Sequence, residues 1–313
     1  MEKIELRKAR DFGTLFNDSV AFLRVNFKSF FGTLLFLSGP FVILTGLLMG
    51  YLQFIAEKIT ESNMLSGNFR NSNLFLGSSI STTLLFVLIF LLTTLVTNAS
   101  IALYFTLYDK AKPEELPMQR SSISQLLAAA CWRLFYNLLL FAIIMGVVAL
   151  AFVGVFFLLF SVPGLNIVLM FLLIIAGLIL SPPLIYVITV ANFIVIRDEI
   201  LITEAIGKAL KYMRGNFWKT WLFIFCALAS LSMLYLLFNL PSVMQGFING
   251  FTRGVNTFAA NHTLIYIIFS AISMLGRMLI ISPILTCFCV FNFYSQEESH
   301  EGTSLMNRID TLN

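Results

Sequence analysis

The chain has 313 residues, of which 58% are hydrophobic and only 12% charged, and its mean hydropathy is +0.90. A soluble domain is about 45–50% apolar and about 25% charged, so this chain has too little polar surface to wrap a water-soluble globule of its size. Composition therefore excludes a soluble enzyme, a disordered chain and a nucleic-acid-binding module, and it predicts an all-α integral membrane protein.

The first 28 residues carry ten charges, and the first apolar run begins only near Ser29. A membrane span is expected there, with no cleavable signal peptide. A span needs about 20 apolar residues. Six segments qualify: about Ser29–Ala56, Ile80–Tyr108, Leu134–Phe160, Leu165–Ile196, Phe217–Asn239 and Thr263–Phe293. Backbone groups in hydrocarbon must bond internally, so these are helices; the ten-residue alternating segments of an outer-membrane barrel are absent.

Three spans carry helix-modifying pairs: Gly39-Pro40, Pro182-Pro183 and Ser282-Pro283. Each proline removes a donor and favours a kink. Val162-Pro163-Gly164 reads as a tight turn joining spans three and four. Residues 57–79 are rich in Asn, Ser and Gly, and residues 241–262 read equally as an interfacial helix or a plain loop.

Sixteen of the 20 Lys/Arg fall before span one, between spans two and three, between spans four and five, or in the C-terminal tail. The alternate side holds only Lys58, Arg70 and Arg253, and Arg277 lies inside span six. The positive-inside rule then places both termini in the cytoplasm.

An internal repeat is legible. Asp11–Phe27 aligns without gaps on Leu201–Phe217, with Arg24 on Arg214 and Asn26-Phe27 on Asn216-Phe217. A weaker copy, Ser121–Trp132, precedes span three, and Pro183, Asn192 and Phe193 correspond to Pro283, Asn292 and Phe293. The chain reads as a single polytopic domain over residues 1–313. It holds three parallel units, about 11–108, 121–198 and 202–294, followed by a cytoplasmic tail, 295–313. Each unit is a cytoplasmic interfacial amphipathic helix followed by a two-span hairpin. Arg24, Lys28, Lys208, Lys211 and Arg214 are expected to face anionic phospholipid, and Trp218 and Trp221 to sit at the interface.

The stretch Ile194–Trp221 carries an acidic turn (Asp198-Glu199), a Glu204-Ala205 helix and Gly215-Asn216-Phe217-Trp218 opening the next span. This pattern resembles the membrane domain attached to some glycerophosphodiester phosphodiesterases. The N-terminal stretch resembles uncharacterised integral membrane proteins of Bacteroidota. The resemblance implies a bacterial inner-membrane location and no activity. In mechanical terms Thr203 would cap the helix, and Gly215-Asn216 would break it and turn the chain into the membrane.

Chemistry-bearing constellations are few. There is no metal or nucleotide fingerprint and no nucleophile motif, so no catalytic residue, metal or cofactor is expected. The four cysteines read as apolar packing residues, and the acidic tail residues Glu297, Glu298 and Glu301 as solvated. Arg277 stands out, because a charge at membrane depth costs several kcal/mol, with estimates from about 3 to above 10. No Asp or Glu lies in any predicted span, so its expected acceptors are Asn98, Thr97, Thr93, Ser181 or carbonyls freed by proline. Asn98, Asn192 and Asn292 share a late position in the second span of each unit and read either as interhelical glue or as a polar ring. Two functions follow. The first is a non-enzymatic scaffold or subunit of a membrane complex, with the bilayer and other subunits as partners and no nucleic acid. The alternative is a transporter or channel for a lipid or amphipathic anion, with Arg277 in an intramembrane cavity.

Overall fold

A computed structural model describes residues 3–66, 72–112, 121–136, 139, 166–252 and 262–302. Among them every regular element is helical: α1 (Phe12–Ser66), α2 (Ser72–Lys110), α3 (121–136), α4 (Asn166–Asp198), α5 (Ile202–Arg214), α6 (Phe217–Thr252), α7 (His262–Leu275) and α8 (Ser282–Glu301). Five stretches are long and apolar enough to cross a membrane: Phe12–Ala56, Ser81–Lys110, Ile175–Asp198, Phe217–Leu240 and Ile267–Glu301. The chain is a multi-pass all-α membrane protein. The expected third span, Leu134–Phe160, lies almost wholly outside the described residues, as does the turn at Pro163. Large apolar side chains such as Phe36, Leu88, Leu180 and Met233 are exposed, as lipid-facing positions require.

The two copies of the repeated stretch behave differently. Residues 202–214 form a separate amphipathic helix, α5, which buries Ile202, Ala205, Ala209, Tyr212 and Met213. Residues 12–27 instead run unbroken into the first span as the opening turns of α1. α5 stops at Gly215, where the Asn216 N–H turns back to the Met213 carbonyl at 2.9 Å, whereas the aligned Val25 lies within the continuous α1. Gly215 keeps an ordinary right-handed conformation (φ −74°). Thr203 does not cap α5; Leu201 occupies the cap position, with no side-chain bond there. Residues 241–252, left open between helix and loop, belong to α6.

The described chain forms two compact units. The first comprises Met1–Asn26, Ile101–Leu228 and Thr286–Asn313. Its core is aromatic: Phe22 stacks on Phe105 at 5.1 Å and meets Tyr108 and Phe291 edge-on at 5.0 and 5.5 Å. Thirteen consecutive residues of α8, Thr286–Glu298, are all buried, so this helix is enclosed on every face. The N-terminal segment ties to α2, with Lys3 Nζ donating to the Asp109 carbonyl (2.8 Å) and Ile4 N–H to the Tyr108 hydroxyl (3.0 Å).

The second unit comprises Phe27–Ser100 and Ala229–Leu285. Here α1 and α2 are pinned by a Thr45–Thr93 hydroxyl contact of 2.7 Å, and each hydroxyl also bonds the carbonyl four residues back in its own helix. A side chain at Gly46 would meet the Ala271 Cα at 2.6 Å, so α1 and α7 touch backbone to backbone. Between α7 and α8 the helix widens to a π turn, Gly276–Ile281, in which Ser282 N–H reaches the Arg277 carbonyl. Pro283 follows immediately, and the widened turn takes up the proline.

Gly276→Ala is expected to lower the thermal unfolding temperature in detergent markedly, because its Cβ would run into the Phe238 ring. Gly215→Ala, with its nearest neighbour at 3.5 Å and a helical backbone, should gain about 0.4–1 kcal/mol from the unfolded-state term. Equal shifts for the two would contradict this packing.

Candidate functional site

Two polar constellations stand out, one in each unit. In the first unit α4 ends on Arg197-Asp198 beside the end of α8. The Arg197 side chain is 6% exposed and that of Glu297 7%. Arg197 donates twice to Glu297 (2.7 and 2.6 Å) and twice to Asp198 (2.6 and 3.1 Å). Lys208, from α5, donates to Asp198 at 2.7 Å and approaches Glu297 at 3.5 Å. Two cations and two carboxylates thus close a neutral quartet. The Arg197 guanidinium also lies over Phe293, Tyr294 and Phe193, 4.9–5.6 Å from the ring centres, a stacking that Lys would not reproduce.

This cluster corrects two expectations. Glu297 and Glu298 are not solvated tail residues, because α8 continues through Glu301 and buries both. Lys208, expected to face lipid phosphate, is committed to the quartet. The sequence hid this because helix α8 switches from an apolar to a charged run while staying buried. The partner of Glu297 lies 100 residues earlier in the chain, at the end of α4.

Around the quartet, Tyr212 donates to Glu301. Burial, and then the Glu301 charge, push the Tyr212 hydroxyl well above its usual range. On the exposed edge Arg133 meets Glu199 at 2.8 Å, and its hydrogen bond holds that carboxyl below its usual range. Glu199 itself sits at φ 59°, the turn that lets α5 fold back on α4. The Trp221 indole donates to the Ile179 carbonyl at 2.8 Å. That carbonyl is the one Pro183 leaves without its helical donor, so the tryptophan is a helix tie. Trp218 is largely exposed, and Arg24, Lys28, Lys211 and Arg214 are exposed as well.

In the second unit Arg277 occupies the π turn. Its guanidinium is exposed, donates to the Tyr235 hydroxyl at 2.9 Å and lies 5.2 Å from that ring's centre. Tyr235 is its only polar partner among the described residues. None of the expected acceptors, Asn98, Thr97, Thr93 and Ser181, bonds to it; Thr93 is engaged with Thr45 and the Phe41 carbonyl. Next to it Ser273 donates to the Asn239 side chain at 2.7 Å. Asn98 belongs to the second unit, whereas Asn192 and Asn292 belong to the first. Asn192 is partly exposed and Asn292 buried.

No family model, curated protein or solved structure matches the chain. The described residues contain no group of three or more His, Cys, Asp or Glu able to hold a metal ion.

Glu297→Gln should destabilise the protein by about 3–5 kcal/mol, because it leaves Arg197 and Lys208 sharing the single carboxylate of Asp198, an uncompensated positive charge in a buried cluster. Arg197→Met combined with Glu297→Leu should recover most of that loss. Both are read as thermal unfolding in detergent. A single variant as stable as the wild type would contradict a load shared across the quartet.

Proposed function

We propose that the protein is a bacterial inner-membrane transporter or channel for a lipid or amphipathic anion, with Arg277 on the path and both termini cytoplasmic. One observation carries the reading: a guanidinium deep in an apolar span, exposed on a π turn, with a neutral tyrosine as its only polar partner among the described residues. A structural arginine at such depth is normally locked by carboxylates or carbonyls, as Arg197 is by Glu297 and Asp198. Arg277 keeps donors to spare, and an anionic group supplies the charge it lacks. π turns inside α-helices recur at functional positions because they leave backbone groups less tightly bonded.

The finer topology belongs to this proposal: six spans in three hairpins, with amphipathic stretches against anionic lipid. The resemblance of Ile194–Trp221 to the phosphodiesterase-linked membrane domain supports the bacterial setting. Carriage of a substrate needs no covalent step, so no catalytic residue is assigned.

Liposomes containing the full chain and a fluorescent phosphatidylglycerol test the reading. Dithionite bleaching of the inner-leaflet probe should be faster than in protein-free liposomes. Arg277→Gln should slow it about tenfold, the loss of one charge-assisted hydrogen bond, while leaving thermal unfolding unchanged. No flux from the wild type would favour the scaffold reading instead.

A further inference from the structure

In the first unit the starts of α1 and α6 and the flank of α8 border a cleft of about 60 Å³, room for a small polar group, since about 10–15 Å³ of such space holds one water. Apolar Phe12, Leu15 and Phe223 line it together with polar and charged side chains, among them Asp11, Lys219 and Asn292. Lys219 is exposed and makes no ion pair with any described residue. The first intrahelical bond of α6 runs from Thr220 N–H to the Asn216 carbonyl at 2.9 Å, so the N–H groups of Phe217, Trp218 and Lys219 are the unbonded donors of a helix start. That end also carries the positive pole of the helix dipole.

The second, independent observation is Asn292, which lines the cleft and is 5% exposed. The Tyr186 hydroxyl donates to Gln296 Oε1 at 3.0 Å, and Gln296 Nε2 in turn donates to Thr220 and, at 3.4 Å, to Asn292 Oδ1. That chain sets the amide's orientation and leaves Asn292 Nδ2 buried without an acceptor among the described residues. A donor left so costs about 1–3 kcal/mol, a cost that a bound acceptor removes.

The remaining charges at the cleft are accounted for. Arg10 is buried at the back wall, paired with Asp18 at 2.7 Å and donating to the Leu6 carbonyl at 2.8 Å. Asp11 caps α1, accepting from the Thr14 N–H at 3.1 Å and from its hydroxyl, and those bonds hold its carboxyl below the usual range. Asp11 therefore stays ionised at the cleft while engaged with the α1 cap, and Lys219 is the lining cation that no described carboxylate pairs.

We propose that this cleft binds a phosphate-class oxyanion, free or carried as an anionic lipid headgroup, on Lys219, the Asn292 amide and the opening N–H groups of α6. The site is independent of Arg277.

The test follows acetylation of Lys219 by an N-hydroxysuccinimide ester in the full chain, held in maltoside detergent and read by peptide mass spectrometry. Lys211, exposed on α5, is the internal reference. Inorganic phosphate, or phosphatidylglycerol in the micelle, at about four times its Kd should slow Lys219 about fivefold and leave Lys211 unchanged. Protection by phosphate marks a site for a free oxyanion; protection by the lipid alone marks a headgroup site. Asn292→Leu should abolish protection, and the exposed variant Lys219→Gln should lose retained phosphatidylglycerol or phosphate binding even if the buried substitution fails to fold. Arg277→Gln should leave protection intact. No protection by either probe, equal slowing of Lys211, or full protection in Asn292→Leu would overturn the proposal.

Discussion

A polar group carried into an apolar span must find its partner inside the protein, and much of this structure answers that demand. Arg197 is matched by Glu297 and Asp198, and Lys208 completes the neutral quartet. The carbonyl that Pro183 strands at Ile179 is taken up by the Trp221 indole. Thr45 and Thr93 satisfy each other and their own helices. These ties let α8 be enclosed on every face although its last turns are charged. They locate α4 and α5 against it without relying on the weak hydrophobic preference between helices in lipid.

Composition alone made the helical membrane class legible, because a chain with so few charges has no other stable home. Five of the six predicted spans overlap the membrane-length helices among the described residues; the third lies almost wholly outside those residues. The repeat was legible too, but its meaning was not. Alignment of Arg24 with Arg214 suggested two equivalent interfacial helices, yet α5 stops at Gly215 while α1 continues through Val25. Hydropathy also ended the last span near Phe293, because it reads Gln296-Glu297-Glu298 as solvent-facing. Tyr186 and Thr220 partner Gln296, and Arg197 and Lys208 partner Glu297, and pairings this far apart in sequence leave almost no local trace.

The two sites show the same rule met and unmet. Arg10 and Arg197 are fully engaged, and they hold the fold. Arg277, Lys219 and the Asn292 amide are under-engaged among the described residues, and each offers donors without a matching carboxylate. Sequence pointed to Arg277 through its depth and to Asn292 through the repeat. Lys219 carried no signal, since its role comes from sitting on the first turn of α6 beside a buried amide that another helix brings. The acceptor of Arg277 has no sequence signal for a simpler reason: amides and carbonyls freed by proline are the usual partners at depth, whereas the π turn presents the guanidinium to Tyr235 of α6.

The central claim is that Arg277 stands on a route open to anions. In a chain whose four native cysteines are replaced by serine or alanine, Arg277→Cys can be exposed in sealed vesicles to a negatively charged, membrane-impermeant methanethiosulfonate. The account predicts modification from the aqueous phase, slowed by added amphipathic anion. Reaction only with an uncharged, membrane-permeant maleimide, or only after unfolding, would show a residue sealed from water and would contradict it.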